Sequence, residues 1–258
     1  MGIMDGLVGT IGLAKLIKYG ENMNIVKESQ VLVCGYKGEI GSFILNGLLK
    51  VMPKALDIWC VDVNETESEV IDRIQKSDTI FLCVPIFKTV EWLLHFKLLL
   101  RGKTVIEQTS LKGWLNDDRL KDLDIRSMHI LFRPSQTPNY CDRKVALINS
   151  QFPTNISEKI LQITDSQVIW FENIDEHDRE MAIQQALVHR VLLVLGDALK
   201  KCHGSTYISQ KVIELCNRIK KGDLSLYKSI QKNPYLNEHT EKFLHEFVNF
   251  NIEDFWKK

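Results

Sequence analysis

No two of the six cysteines, Cys34, Cys60, Cys83, Cys141, Cys202 and Cys216, lie within four residues of each other. The paired spacings that bind zinc or run dithiol exchange are therefore missing, and no metal site is expected. Cys34, Cys60 and Cys83 sit inside apolar runs, where a thiol behaves as a small hydrophobe, so a disulfide framework is not expected and a reducing cytoplasm is. An excess of one charge is also lacking. Lys and Arg number 33, Asp and Glu 33, and the formal net charge is zero. That balance argues against a dedicated nucleic-acid binder. No run of about 18 uninterrupted apolar residues occurs, so no membrane-spanning helix is expected. Internal repeats and low-complexity segments are absent too.

The first 28 residues carry no basic region ahead of their apolar stretch, which Asp5 and Lys15 interrupt. No small-residue cleavage site follows, and Gly6 stands where a myristoylation signal needs Ser or Thr. Leu7, Val8, Ile11, Ala14 and Ile17 fall at helical spacing. Residues 1–28 therefore read as an amphipathic segment that packs on its own protein or on a partner subunit.

What the chain does have is enough apolar material for a packed core. Its 258 residues are 45% hydrophobic and 26% charged, which suits one large or two modest domains. Short β-rich runs at 30–34, 57–63, 79–85, 103–110, 128–132, 144–149 and 167–172 alternate with helical patterns at 66–76, 88–100 and 157–164 and with one after the first strand. A polar turn and helix are expected at 114–124. Strands alternating with helices predict a doubly wound parallel sheet. Beyond residue 173 the pattern is helical throughout, beginning with a long helix over 175–203. The expected division is 1–28, a dinucleotide-binding Rossmann domain over 29–173, and a helical substrate and dimerisation domain over 174–258.

Six places in this scheme carry chemistry. Gly35, Tyr36, Gly38, Glu39, Ile40 and Gly41 form a glycine-rich turn between the first strand and its helix. Glycines there let backbone amides approach a pyrophosphate, and the helix N-terminus favours its charge. The glycine spacing is GxxGxxG, with Tyr36 where the usual pattern has its first glycine. Asp62 ends the second strand, 21 residues beyond Gly41. An acid there binds the adenosine ribose hydroxyls and repels a 2′-phosphate, favouring NAD over NADP. Val84 and Pro85 end the third strand beside the same crevice. Ser110 and Lys112 follow the fourth strand, and His129 opens the expected strand 128–132. His177 and His189, 12 residues apart on the long helix, fall near one face if the helix is regular.

Taken in order, VLVCGYKGEIG, SDTIFLCVPI, VIEQTSLKG, HILFRP, EHDREMAIQQALVHR and NRIKKGDLSLYKSI span residue 31 to about 230. The set resembles the prephenate dehydrogenase family, and most closely the dehydrogenase half of the bifunctional chorismate mutase–prephenate dehydrogenases. The resemblance implies a Rossmann domain with a helical domain that forms a homodimer. It also implies NAD-dependent oxidative decarboxylation of prephenate to 4-hydroxyphenylpyruvate, a step of tyrosine biosynthesis. In that family His129 matches the catalytic His, Ser110 an active-site Ser beside it, and His189 a His lining the substrate pocket. The cofactor residues match Gly38, Gly41 and Asp62.

Three positions depart from the resemblance. Val188 stands where the bifunctional relatives carry an Arg for a substrate carboxylate, and Gln210 replaces a second Arg. Arg133 stands where glycine is usual. Prephenate is a dianion, so substitute cations are expected at Arg133, Arg190 or Lys211, or else a changed substrate such as arogenate or 4-amino-4-deoxyprephenate. A non-catalytic dinucleotide-binding relative is a further alternative. Between residues 199 and 221 six Lys and Arg face one acid, Glu214, a field that would steer a small anionic substrate.

Overall fold

The computed structural model describes residues 30–51, 58–137, 143–148, 152 and 154–251. The amphipathic segment 1–28 and Cys141 lie outside them.

The first half alternates β1 (Val31–Cys34), α1 (Glu39–Val51), β2 (Ile58–Val61), α2 (Glu67–Lys76), β3 (Thr79–Leu82), α3 (Ile86–His95), the short α4 (Lys97–Leu100) and β4 (Thr104–Glu107). It continues through β5 (Asp124–Ile130), β6 (Lys144–Ile148), α5 (Thr154–Thr164) and β7 (Gln167–Phe171). One seven-stranded sheet results, in the order β2-β1-β3-β4-β5-β6-β7. The order reverses at β1, with β2 on one side and β3 on the other. In open α/β sheets such a switch point opens the crevice where ligands bind.

Strand β1 shows why both faces are covered. All four residues are buried, and side chains alternate between faces. Val31 and Val33 join Ile44 and Leu48 of α1 and Ile160 and Ile163 of α5. Leu32 and Cys34 join Val70 and Ile74 of α2, Leu93 of α3 and Leu100 of α4. A strand buried on both faces reads as a continuous apolar run, which is how the sequence displays it.

Three local expectations are corrected. The sheet is not wholly parallel: β6 runs antiparallel to β5, while β7 is parallel to β6. Among the described residues between β5 and β6 no helix occurs, and an antiparallel return needs none. The segment 114–124 holds two 3₁₀ turns, Gly113–Asn116 and Asp118–Leu120, instead of a helix. Asp117 caps the second turn through Arg119 N, side chain competing with helix as Asp commonly does. The helix expected over 88–100 is broken between His95 and Lys97 at Phe96.

After β7 the chain is helical. A single rod, Ile174–Leu199, comprises α6 (Ile174–Met181), a π-helical segment Ala182–Leu187, and α7 (Val188–Leu199). Asn173 caps its start by accepting from Glu176 N. α8 (Tyr207–Lys221), α9 (Leu224–Ile230) and α10 (Leu236–Val248) follow. Ala186, Leu187, Ile230 and Leu236 form a small core of their own. α6 rests against β6, β7 and the turn at 113–116, and α9 rests against α3.

The rod Ile174–Leu199 is 26 residues long and holds an 18-residue stretch of mean hydropathy 1.3, so among the described residues one helix is long and apolar enough to cross a membrane. The apolar run is broken by Gln184, Gln185, His189 and Arg190, so counting uninterrupted apolar residues passes over it. Its first turns bury His177 and Asp178 against the sheet.

Candidate active site

The strand ends build the site. β1, β2, β3, β4 and β5 are mutually parallel, so their carboxyl ends lie along one edge of the sheet. A cleft of about 490 Å³ opens there, lined by Gly35, Gly38, Glu39, Asp62, Val84 and Pro85, among others. Ile40 lines it as well, and Asp223, which caps α9, and Leu226 of α9 reach it from the helical half.

Glycine is required at residue 35 by conformation. Its φ is +80°, and a Cβ there would stand 2.4 Å from the backbone O of Cys83, just past β3. Gly41 is required by contact, since a Cβ would stand 2.1 Å from Gly35 O. The displaced spacing thus keeps a tight turn and close packing of helix on strand. Tyr36 packs against the core beneath α1. Asp62 ties this turn to β2: Oδ2 accepts from Lys37 N at 2.9 Å and Oδ1 from Val63 N at 2.8 Å.

Arg133 belongs to the same mouth. Its Nε donates to Glu39 Oε2 at 2.9 Å, and Ser135 donates to Glu39 Oε1 through both N and Oγ. Burial alone would raise the Glu39 carboxyl. The hydrogen bonds from Ser135 and Arg133 outweigh it and hold Glu39 below the usual carboxylate range.

A second, fully buried assembly lies at the ends of β4 and β5. Glu107 is the lone acid of an apolar strand. Its Oε2 accepts from Thr109 N and Oγ1, and its Oε1 accepts from Lys112 Nζ at 2.6 Å and from Ser127 Oγ. Lys112 is buried to 1% exposure and also donates from Nζ to Met128 O. Asp178, from the first turns of the rod, accepts from Lys112 N and Gly113 N. His177 Nδ1 lies 2.8 Å from Asp178 Oδ1, and His177 Nε2 lies 3.1 Å from His129 Nδ1. On its other side His129 Nε2 meets Gln185 Nε2 at 3.3 Å.

His129 is buried to 3% exposure. Desolvation, reinforced by the nearby charge of Lys112, holds it well below its usual pKa. The imidazole is therefore neutral at neutral pH, with one nitrogen able to accept a proton. Desolvation lowers His177 too, against the opposing pull of Asp178.

The structure corrects the place of His129 in its strand. β5 starts at Asp124, four residues earlier than expected, so His129 is next to last and lies at the carboxyl edge, not at a strand's start. The polar residues Asp124, Arg126 and Ser127 hid the first half of β5. The rod is not regular either. Its π segment breaks the 3.6-residue phase between His177 and His189, so the shared face predicted from spacing is lost. His177 packs edge-on to Phe171 and His129, whereas His189 packs on Tyr227 of α9.

Other sequence-marked residues scatter. Ser110 is half-buried, three residues beyond β4. Arg190 turns to Gln231 Oε1 and Thr240 Oγ1 at 3.1 and 3.2 Å. Lys211 pairs on the exposed face of α8 with Glu214. Arg133, Arg190 and Lys211 are therefore not brought together. Lys201 and Lys220 of the basic stretch both pair with Asp197. Among the described residues several buried polar atoms have no partner: both amide atoms of Gln108, Oε1 of Gln185 and Nδ1 of His189. Among the described residues no cluster of three metal-ligating side chains occurs.

No protein-family model and no curated protein matches the chain. Solved structures do. Prephenate dehydrogenase from Aquifex aeolicus, in complex with hydroxyphenyl propionate and NAD+, superposes with a TM-score of 0.66 at 19% identity, over 89% of this chain and 93% of that one. A second structure of prephenate dehydrogenase from the same organism gives 0.63 at 19%, over 85% and 92%. A Corynebacterium glutamicum chain proposed to be a prephenate dehydrogenase gives 0.67 at 13%, over 86% and 80%. At such identities the likeness is one of fold: this chain has a Rossmann-like fold followed by a helical region.

Proposed function

We propose that the protein is an NAD-dependent oxidoreductase of the prephenate dehydrogenase type, converting prephenate to 4-hydroxyphenylpyruvate with loss of carbon dioxide. The observation that carries this reading is the placement of a neutral, buried His129 on the same sheet edge as the glycine turn and Asp62. The fold shared with the Aquifex aeolicus enzyme supports it.

The residues present fit a dinucleotide. Gly38 lines the cleft, and a Cβ there would meet nothing closer than Gly35 O at 3.3 Å, so a side chain would take up space that a ligand can use. The N-terminus of α1 faces the same space, where its dipole favours a pyrophosphate. Asp62 would take the ribose hydroxyls in place of Lys37 N, and its charge disfavours a 2′-phosphate. Val70 and Trp92 give the cleft an apolar wall suited to a base. The nicotinamide, when bound, supplies the hydride acceptor. His129 accepts the proton of the substrate hydroxyl as that oxygen becomes a carbonyl. Ser110 is assigned a hydrogen bond near that hydroxyl, and His189 the wall of the substrate pocket.

A second reading is favoured by the cations. Arg190 and Lys211 are held by groups within the helical half, and Arg133 by Glu39. Fewer cations for a dianion favour an analogue, arogenate or 4-amino-4-deoxyprephenate, in which an amino group replaces an oxygen function. The helical half also leaves Tyr207, Ile208, Phe247 and Val248 at least two-thirds exposed. Apolar exposure on that scale supports a homodimer through these helices.

The test is a substrate panel with purified protein: prephenate, arogenate and the 4-amino analogue, each with NAD and with NADP. Reduction of NAD with prephenate is the expected result. Reduction only with an analogue transfers the assignment to that substrate, and silence in every well removes the dehydrogenase reading.

A further inference from the structure

The buried chain Asp178–His177–His129–Gln185 has a direction that its hydrogen-bond partners fix. Both oxygens of Asp178 accept from backbone N–H groups, Lys112 N and Gly113 N, the pattern of a carboxylate. A carboxylate only accepts, so His177 Nδ1, 2.8 Å away, must be the donor. His177, held neutral by burial, then has its lone pair on Nε2. His129 Nδ1, 3.1 Å from that lone pair, must donate in turn. The remaining nitrogen, His129 Nε2, is left as an acceptor, and it receives the Gln185 amide at 3.3 Å. Gln185 Oε1 is buried without a partner. The π segment, an irregularity often found at functional sites, is what carries Gln185.

We infer that His177 and Asp178 are positioning residues that lock His129 in the Nδ1–H tautomer, so that Nε2 is the proton acceptor of the reaction. This rests on the reading of His129 as the acceptor. The substrate O–H bond breaks and a bond from Nε2 to that proton forms. The O–H electron pair becomes the second bond of the carbonyl, and the hydride that carbon gives up with its own pair would be taken by a bound nicotinamide as the oxidant. The charge that then arises on His129 lies one ring away from Asp178. Counted over the groups that face these rings, Glu107 and Asp178 carry two negative charges and Lys112 one positive, so the surroundings hold one uncompensated negative charge. That charge favours the imidazolium only once the proton has arrived. Lys112, which opposes it, is tied to Glu107. The Gln185 amide occupies the lone pair at a long distance and is replaceable by a substrate hydroxyl, a stronger donor at shorter range.

Tautomers are read directly by long-range proton–nitrogen NMR on the full chain labelled at its seven histidines. The ligand-free protein at neutral pH is expected to show His129 and His177 both protonated on Nδ1 alone. A proton on His129 Nε2, or a doubly protonated ring, overturns the inference whether or not prephenate is the substrate. In activity, His177→Phe keeps a ring against Phe171 but removes the acceptor. It should lower kcat about 100-fold with KM for the dinucleotide unchanged. His177→Gln, whose amide oxygen can still accept from His129 Nδ1, should recover part of that loss. A His177→Phe variant with wild-type kcat and an unaltered His129 signal contradicts the inference. A wild-type chain silent on every substrate removes the functional reading, while the NMR spectrum still decides the tautomer.

Discussion

In the proposed reaction His129 meets the substrate and Asp62 the dinucleotide, so their single-residue replacements should separate cleanly. His129→Asn removes the proton acceptor while leaving the dinucleotide cleft intact. Turnover is expected to fall by about 10²–10⁴-fold with NAD affinity unchanged, measured by steady-state kinetics alongside calorimetric titration. Asp62→Ala removes the ribose acceptor and also frees Lys37 N, so NAD should bind more weakly and the preference over NADP should narrow. A wild-type protein that already prefers NADP would show that Asp62 has another job. Because burial holds His129 below its usual pKa, its basic form persists well into the acid range. The acid limb of the kcat/KM profile is therefore expected below pH ~6.5, the ordinary histidine value. A limb at or above it argues that another group titrates.

At the scale of elements, the glycine turn and Asp62 were legible because a β-rich run, glycines and a second β-rich run follow one another with fixed spacing. His129 stood out as a residue, but its catalytic role came only from the resemblance, because β5 begins on polar residues that conceal where the strand starts. The buried assembly around Glu107 left a fainter trace. An acid inside VIEQT cannot stay buried without compensating donors, yet nothing in the spacing says that Thr109, Lys112 and Ser127 supply them. Gln185 could not be read at all, since no residue pattern signals that the rod widens into a π segment. Close packing offers a test that depends on none of this chemistry. A Cβ on Gly47 of α1 would stand 1.9 Å from Ile163 O of α5. Backbone cannot give way as a side-chain tip can, so Gly47→Ala is expected to cost about 1–3 kcal/mol in denaturant unfolding. A neutral effect would mean that the two helices can slide apart at no cost.

Over the whole molecule, the buried histidines set a pH dependence of stability. His129, His177 and His189 are all lowered by desolvation in the folded state. Between their folded pKa values and ~6.5 the unfolded chain binds more protons than the native one, so stability rises with pH through that window. The melting temperature should therefore drop as pH falls from 7 to 5, before carboxylates such as Glu39 and Asp122, lowered in the fold, begin to protonate. A melting temperature flat over that range would mean the three rings are charged or exposed. The exposed apolar faces of the C-terminal helices make the same scale the place to weigh the particle: light scattering is expected to report twice the 29.8 kDa chain mass. A monomer at micromolar concentration would leave those faces for another partner. The measurement that bears most directly on the central reading follows reduced nicotinamide and released carbon dioxide together, with prephenate and NAD, for the wild type and His129→Asn. Equal yields of both products from the wild type, and loss of both in a variant that still binds NAD, are expected. Absence of either product from the wild type, or undiminished yields from His129→Asn, would contradict it.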